Sequence, residues 1–317
     1  MERIWRFTTL VGLIMCAYYM SLAHPCAKLV YERRPAGYEA PMYTDPQTVV
    51  VPGITAAIFF AIKKGFWPLF TPLWRPHCKD QHDEKLWQRR AERCTIEFRK
   101  MITFACFSIY SHRLTLDTDF FPKEIGGKGS YKNILSDMPY YTQTPGLHRF
   151  SLIMIGYYLG DLLDTVIFSI ESNYWEMCFH HLTTVALVVG MTFMGQQRVG
   201  AIVFLIHATT DILVHCARFL SNTIYSKTCA VVFMVGLLFW MYYRHYVFSL
   251  VVWHGWKSNH YEEGFECNHP LHYTLCVFLT FLCIMHVWWS YCMIDMFFRY
   301  YSKKSTEDIT LKMRKDR

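Results

Sequence analysis

A succession of apolar stretches, each long enough to cross a lipid bilayer, is the feature that most restricts the fold of this chain. A membrane-spanning helix needs about 20 predominantly apolar residues. Of the 317 residues, 53% are hydrophobic and only 18% are charged, more apolar sequence than one soluble core could bury. The stretches lie at residues 4–23, 48–72, 101–118, 150–170, 176–195, 199–221, 227–253 and 271–298. The sequence therefore predicts an all-α polytopic membrane protein.

The first stretch has two interpretations. Arg3 and Arg6 precede an apolar run that ends near residues 23–27, as in a signal peptide or a signal-anchor. The run is long and its cleavage site is poor, which favours a retained helix. We expect residues 1–47 to form this signal or signal-anchor segment with a lumenal linker. Residues 48–100 should then hold the first core transmembrane helix and a basic cytosolic loop.

Basic residues cluster in two places, the loop at 75–100 and the tail at 301–317. Six predicted spans within residues 101–300 separate them, so loop and tail lie on the same side of the membrane. The positive-inside rule makes that side the cytosol and places the C-terminus there. The net charge of +7 is modest and lies in these segments. The expected partner is therefore the lipid bilayer and not a nucleic acid.

Ionisable side chains lie inside several spans, where they are costly and by default mark functional sites. They are Asp161, Asp164, His180, His181, His207, Asp211, His215 and His286. At about 1.5 Å per residue, His180 lies roughly 6 Å inside the cytosolic boundary, and Asp161 and Asp211 lie about 15 Å inside. We expect the groups to share a cavity open towards the cytosol. For His215 and His286, a bond to a neighbouring helix is the alternative.

The histidine pair and Asp211 belong to two long motifs. Residues 173–181 read Asn-Tyr-Trp-Glu-Met-Cys-Phe-His-His, and residues 207–218 read His-Ala-Thr-Thr-Asp-Ile-Leu-Val-His-Cys-Ala-Arg. Together they resemble the Lag motif of the ceramide synthases, which belong to the TLC-domain proteins, and weaker similarity extends over about residues 48–300. Three positions depart from the family pattern, since Asn173 and Ala208 replace Asp and His215 replaces Glu.

The resemblance implies both a fold and a reaction. The fold would be a six-helix TLC bundle or barrel with one or two additional N-terminal transmembrane helices. The reaction would be N-acylation of a long-chain sphingoid base by fatty acyl-CoA, giving ceramide or dihydroceramide in the endoplasmic reticulum membrane. This reaction needs neither a metal nor a cofactor, because acyl-CoA is itself a substrate.

The resemblance also implies residue roles for this acyltransferase reaction, with His180, His181 and Asp211 as the catalytic residues. His181 would be the general base or acyl acceptor and His180 its partner, because an imidazole titrates near neutral pH and can attack a thioester. Asp211 would orient the pair, and Asp161 could supply the carboxylate that Ala208 lacks. The residues expected to contact the substrates are His207, Asp161, Trp175, Arg218 and His286.

Two other functions stay open at this point. Ala208 and Asn173 also fit a non-catalytic TLC protein that binds or transports lipid, or that is a subunit of a membrane complex. A metal enzyme would draw its ligands from His180, His181, His207, Asp211 and His215. The repeated His-x-x-His-His clusters of membrane di-iron enzymes do not occur in the sequence. Assembly into a homo- or hetero-dimer is compatible with either function.

Overall fold

The computed structural model describes residues 2–35, 46–136, 140, 144, 146–168, 174–258 and 268–303. Across these ranges the regular structure is helical, and extended backbone pairs only in two isolated bridges. The predicted all-α fold is thus confirmed. The α-helices are α1 (Glu2–Glu32), α2 (Gln47–Ala61), α3 (Thr71–Trp74), α4 (Glu84–Thr115), α5 (Tyr131–Ile134), α6 (Leu147–Phe168), α7 (Tyr174–Phe193), α8 (Gln197–Ser221), α9 (Ser226–Trp240), α10 (Phe248–Lys257) and α11 (Asn268–Lys303).

Six helical segments within the described ranges are long and apolar enough to cross a membrane. They are Ile4–Glu32, Gln47–His77, Leu147–Ile167, Gln197–Ser221, Ser226–Lys257 and His269–Arg299. The chain is therefore a multi-pass membrane protein, as predicted. Helices α4 and α7 cover the other two predicted spans and are not among these six; α4 begins in a basic segment, and α7 contains Glu176 and two histidines. Their passage through the membrane stays a prediction.

Parts of the structure differ from the sequence-based expectation. The basic segment expected as a loop is helical from Glu84 onward, because it is rich in Glu, Lys, Arg and Leu, which favour helices. The stretch at 227–253 is not one continuous α-helix, since a π-helical turn, Met241–Val247, separates α9 from α10. Such π-turns occur frequently at functional sites, and this one contains Arg244.

The chain divides into two compact units. The first comprises Met1–Phe59, Ser111–Val203 and Ser249–Cys283, and the second comprises Phe60–Tyr110, Phe204–Phe248 and Ile284–Arg317. The histidine pair and Asp161 belong to the first unit, whereas Asp211 belongs to the second.

In the first unit, α1 packs along α7 with the two helices running in the same direction. Near their starts, Thr9 Oγ1 donates to the carbonyl of Trp175 at 3.2 Å. Further along, Tyr19 contacts Gly190, where an added Cβ would lie 2.0 Å from the Tyr19 hydroxyl. Only glycine admits this approach, so α1 supports the helix that carries the histidine pair.

Also in the first unit, small residues bring α2 and α6 close together. A Cβ added at Gly156 would lie 2.5 Å from the Pro52 carbonyl oxygen, and Gly160 lies against Ala56. Such small residues let helix backbones approach closely in membranes, where van der Waals packing drives association. This packing fixes the position of Asp161, the next residue along α6.

In the second unit, a small buried core joins α4 to the end of α8. Its residues are Cys78, Ala91 and Cys94, with Trp74, Trp87 and Phe219 packed against them. The backbone N–H of Lys79 donates to the Asn222 carbonyl at 3.1 Å, and that of Ile224 donates to the His77 carbonyl at 3.0 Å. These contacts set the basic start of α4 beside the end of α8.

Candidate functional site

The histidine pair lies near the start of α7, and the first unit brings it close to Asp161 of α6. The distance from His181 Nε2 to Asp161 Oδ2 is 4.0 Å, with the two side chains 7% and 13% exposed. This distance is too long for a hydrogen bond. It is short enough for the carboxylate to stabilise a protonated imidazole electrostatically. The geometry allows the role predicted for Asp161, although that role stays a prediction.

The two histidines have different surroundings. Their ring centroids are 5.3 Å apart and their planes are inclined by 50°, because adjacent residues point about 100° apart on a helix. His181 is buried, with 5% of its surface exposed, whereas His180 is half-buried. His180 is therefore the more accessible of the two rings, and His181 is the one beside the carboxylate.

Trp175, predicted to contact the substrate, lies at the start of α7 and is half-buried. The guanidinium of Arg6 lies 5.4 Å from the centre of its indole ring, within cation–π distance. Together with the Thr9 hydrogen bond, this contact joins the start of α1 to the start of α7. A substrate contact by Trp175 stays a prediction.

In the second unit, a buried cluster surrounds Arg244, which is 2% exposed. Its Nη2 donates to Asp211 Oδ1 at 2.5 Å and to the His207 carbonyl at 3.1 Å. Its Nε donates to Thr210 Oγ1 at 2.7 Å. The guanidinium also lies 4.7 Å from the centre of the Trp240 ring. Arg244 thus neutralises and orients Asp211 inside the unit.

The same cluster fixes the proton position on His286. Arg244 Nη1 lies 3.1 Å from His286 Nε2, and a guanidinium can only donate, so Nε2 must accept. His286 is therefore neutral in this arrangement, with its proton on Nδ1. Its side chain is fully buried, and its ring lies 5.1 Å from that of His207. These contacts place His286 beside Arg244, and a substrate contact by His286 stays a prediction.

His215, which stands where the family has Glu, pairs with Glu97 of α4. Its Nδ1 lies 2.6 Å from Glu97 Oε2, and Arg93 Nε lies 3.0 Å from Glu97 Oε1. Burial alone would raise the pKa of the Glu97 carboxyl. The hydrogen bond from His215 and the charges of Arg93 and Arg218 outweigh that effect and hold this pKa well below its usual range. Arg218, predicted to contact the substrate, is exposed near this pair.

The predicted site residues therefore fall into two groups. The first unit joins His180, His181 and Asp161; the second joins His207, Asp211 and His286 around Arg244. The sequence interpretation did not assign roles to Arg244 and Glu97. A signal for Arg244 existed, because an arginine inside an apolar stretch needs a partner. Ala208 is 3% exposed on α8, and Asn173 lies outside the described residues.

A metal enzyme would need several ligand side chains close together. Within the described part of the chain, no group of three or more His, Cys, Asp or Glu side chains could hold a metal ion. The His and Asp side chains proposed as ligands instead make the contacts given above. The expectation that the reaction uses no metal stays a prediction.

Comparison with known families identifies the class of protein. The model of the TLC domain matches residues 95–295, which is more than half of the chain. The match includes His180, His181, Asp161, Asp211 and Arg244. The chain belongs to the TLC-domain family.

Several curated proteins are similar to this chain. Sphingosine N-acyltransferase lag1 of Schizosaccharomyces pombe is 25% identical over 223 residues, covering 66% of this chain and 57% of that protein. Ceramide synthase 4 of Mus musculus is 27% identical over 175 residues, covering 54% and 43%. Ceramide synthase 4 of Bos taurus is 22% identical over 171 residues, covering 53% and 42%. The chain thus spans about half the length of the curated relatives it matches.

Proposed function

We propose that this protein transfers the acyl group of a fatty acyl-CoA to the amine of a long-chain sphingoid base, forming ceramide or dihydroceramide. Membership of the TLC-domain family and similarity to proteins named sphingosine N-acyltransferase and ceramide synthase support this reaction. The observation that carries the proposal is the histidine pair on α7 with Asp161 at 4.0 Å from His181. The endoplasmic reticulum membrane is the proposed location.

His180 is the proposed acyl acceptor. A nucleophile must reach the thioester carbonyl of a bulky substrate, and His180 is the more accessible ring of the pair. Its nitrogen attacks the carbonyl carbon, the C–S bond breaks, and CoA leaves as a thiol with the proton that the imidazole releases. The product of this step is an acyl-imidazole, a reactive acyl donor.

His181 is the proposed general base. The sphingoid amine arrives protonated and must lose a proton before it can attack the acyl-imidazole. His181 accepts that proton, and the Asp161 carboxylate stabilises the imidazolium that forms. As the bond between His180 and the acyl carbon breaks, the second amine proton returns to His180. One acyl-CoA and one ammonium thus give one amide, one CoA thiol and one proton.

The proposed roles of the other predicted residues follow from the resemblance. Asp211 would have an orienting role in catalysis, and His207, Trp175, Arg218 and His286 would contact the substrates. The substrates suit a multi-pass membrane protein, since two long hydrocarbon chains dissolve in the bilayer and approach between apolar helices. No metal or cofactor enters any of these steps.

The decisive experiment is to trap the acyl-enzyme. The full-length protein in lipid nanodiscs is incubated with acyl-CoA of several chain lengths without sphinganine, and its intact mass is measured. We expect a mass increase equal to one acyl group, located on the peptide that contains His180. Adding sphinganine should release the acyl group as an amide.

Variants separate the two histidines in this assay. We expect His180→Ala to abolish the adduct and His181→Ala to retain it while slowing its transfer to sphinganine. His24→Ala, at an exposed position of α1, should behave as the unmodified protein. Absence of both adduct and amide at every chain length would overturn the proposal and favour a lipid-binding TLC protein. Loss of activity with a chelator would instead favour a metal enzyme.

A further inference from the structure

Arg99 of α4 combines deep burial with the absence of a partner among the described residues. The residue is 5% exposed, and its Nη2 is buried without a hydrogen bond. Within the described ranges of the chain, no carboxylate lies at ion-pair distance from it. The other arginines buried to a similar degree all have partners.

The partners of the other buried arginines are carboxylates, a backbone carbonyl and an aromatic ring. Arg90 donates to Asp80 at 2.5 Å, and Arg244 pairs with Asp211. Arg198 donates to the Asn133 carbonyl at 3.0 Å and lies over the Phe120 ring. Arg99 is the exception, and a partner for it must come from outside the described chain.

The sequence around Arg99 is rich in basic residues. Lys100 follows it directly, and Arg93 and Arg218 are close enough to hold down the pKa of the neighbouring Glu97 carboxyl. Glu97 is itself 2% exposed and is bonded to His215 and Arg93. Glu97, the carboxylate nearest to Arg99 in the sequence, is therefore already engaged with other partners.

The physical chemistry of arginine defines what the partner must be. A guanidinium does not lose its proton in proteins, and an unpaired buried charge is strongly unfavourable. Its planar donor groups match the oxygens of an anion, particularly a phosphate, which they bind through two parallel hydrogen bonds. Arg99 also precedes the predicted span at 101–118 by two residues, so it lies at the expected depth of lipid head groups.

We propose that Arg99 binds a phosphate group, supplied either by the nucleotide part of acyl-CoA or by an anionic membrane lipid. The first source rests on the proposed acyl transfer, whereas the second does not depend on it. In both cases the guanidinium donates two hydrogen bonds to phosphate oxygens.

A binding assay without any chemistry tests this proposal. The full-length protein is placed in phosphatidylcholine nanodiscs with and without phosphatidic acid, and free coenzyme A is titrated in each. Binding is measured by calorimetry and by the shift of the thermal unfolding midpoint, since a ligand that binds the folded state stabilises it. Arg99→Gln is compared with Arg89→Gln, which removes the same charge from an exposed position of α4.

We expect Arg99→Gln to weaken binding of one of the two probes about tenfold to a hundredfold, the usual effect of losing a charge-assisted pair. Loss of coenzyme A binding identifies the nucleotide, and loss of the phosphatidic acid effect identifies a lipid. Arg89→Gln should change neither. Without either probe, Arg99→Gln should unfold at the same temperature as the unmodified protein or higher, because it removes an uncompensated buried charge.

Other outcomes would overturn the proposal. The proposal fails if neither probe stabilises the unmodified protein. It also fails if Arg99→Gln binds both probes with the same affinity as the unmodified protein. A lower unfolding midpoint with unchanged binding would assign Arg99 a purely structural role. If Arg99→Gln does not fold, Arg99→Lys keeps the charge but not the paired donors, and unchanged affinity in that variant would also contradict the proposal. Because no acyl transfer is measured, failure here is distinguishable from failure of the proposed reaction.

Discussion

Replacing Asp161 by asparagine removes a charge from beside His181 while keeping the shape of the side chain. At the observed separation of 4.0 Å, a unit charge stabilises an imidazolium by about 4 kcal/mol if the effective dielectric constant is about 20. The two side chains retain some exposure, 13% and 7%, so solvent screening lowers this value. A loss of about 2–4 kcal/mol corresponds to a decrease in kcat of roughly 30-fold to 1000-fold.

The assay measures amide formation by Asp161→Asn in nanodiscs, with acyl-CoA and sphinganine both saturating. The matched control is Asp164→Asn, which removes a carboxylate from the next turn of the same helix. We expect Asp164→Asn to change kcat much less than Asp161→Asn does. The KM values of Asp161→Asn should change little, because the lost interaction develops only as the base gains its proton. A kcat within about threefold of the unmodified protein, or an equal loss in both variants, would refute this reasoning.

Two further predictions concern the packing of each unit. Gly190→Ala should lower the free energy of unfolding by about 1–3 kcal/mol, because its Cβ would overlap the Tyr19 hydroxyl. The control is Gly53→Ala, where no atom lies within 4 Å of the added carbon. This variant should raise the free energy of unfolding by about 0.5–1 kcal/mol. Equal thermal shifts in both would contradict the packing of α1 on α7. Arg244→Gln should cost about 3–5 kcal/mol, because it leaves Asp211 without its counter-charge. Adding Asp211→Asn should restore part of the loss, and strictly additive effects would show that the two charges do not interact.

The helices of this fold are predictable from the sequence because they depend on local properties. Apolar runs of about 20 residues identify spans, and each of the six candidate spans overlaps a predicted one. The start of α4 was missed because Lys and Arg were interpreted as marks of a connector, although both are good helix formers. Charge indicates the side of the membrane but does not exclude a helix.

Side-chain partners are less predictable, because they depend on which helices are neighbours. The contact of Tyr19 with Gly190 joins residues far apart in sequence, and no local pattern indicates it. The same holds for Glu97 with His215. The ionisable residues of the spans were identifiable one by one, because charge is costly in a membrane. The motif predicts Asp211 as a partner of the histidines, which stays a prediction. Within the second unit, Asp211 pairs with Arg244.

This pairing affects how the two aspartates can contribute to catalysis. A carboxylate that already receives a guanidinium hydrogen bond at 2.5 Å has part of its negative charge compensated, so it stabilises a new positive charge less. Asp211 is therefore better suited to hold Arg244 and the His207 region of α8 than to support a general base. Asp161 lies 4.0 Å from His181 within the same unit and would meet the imidazolium directly. On this basis the alanine at position 208 does not remove the carboxylate that the proposed base requires.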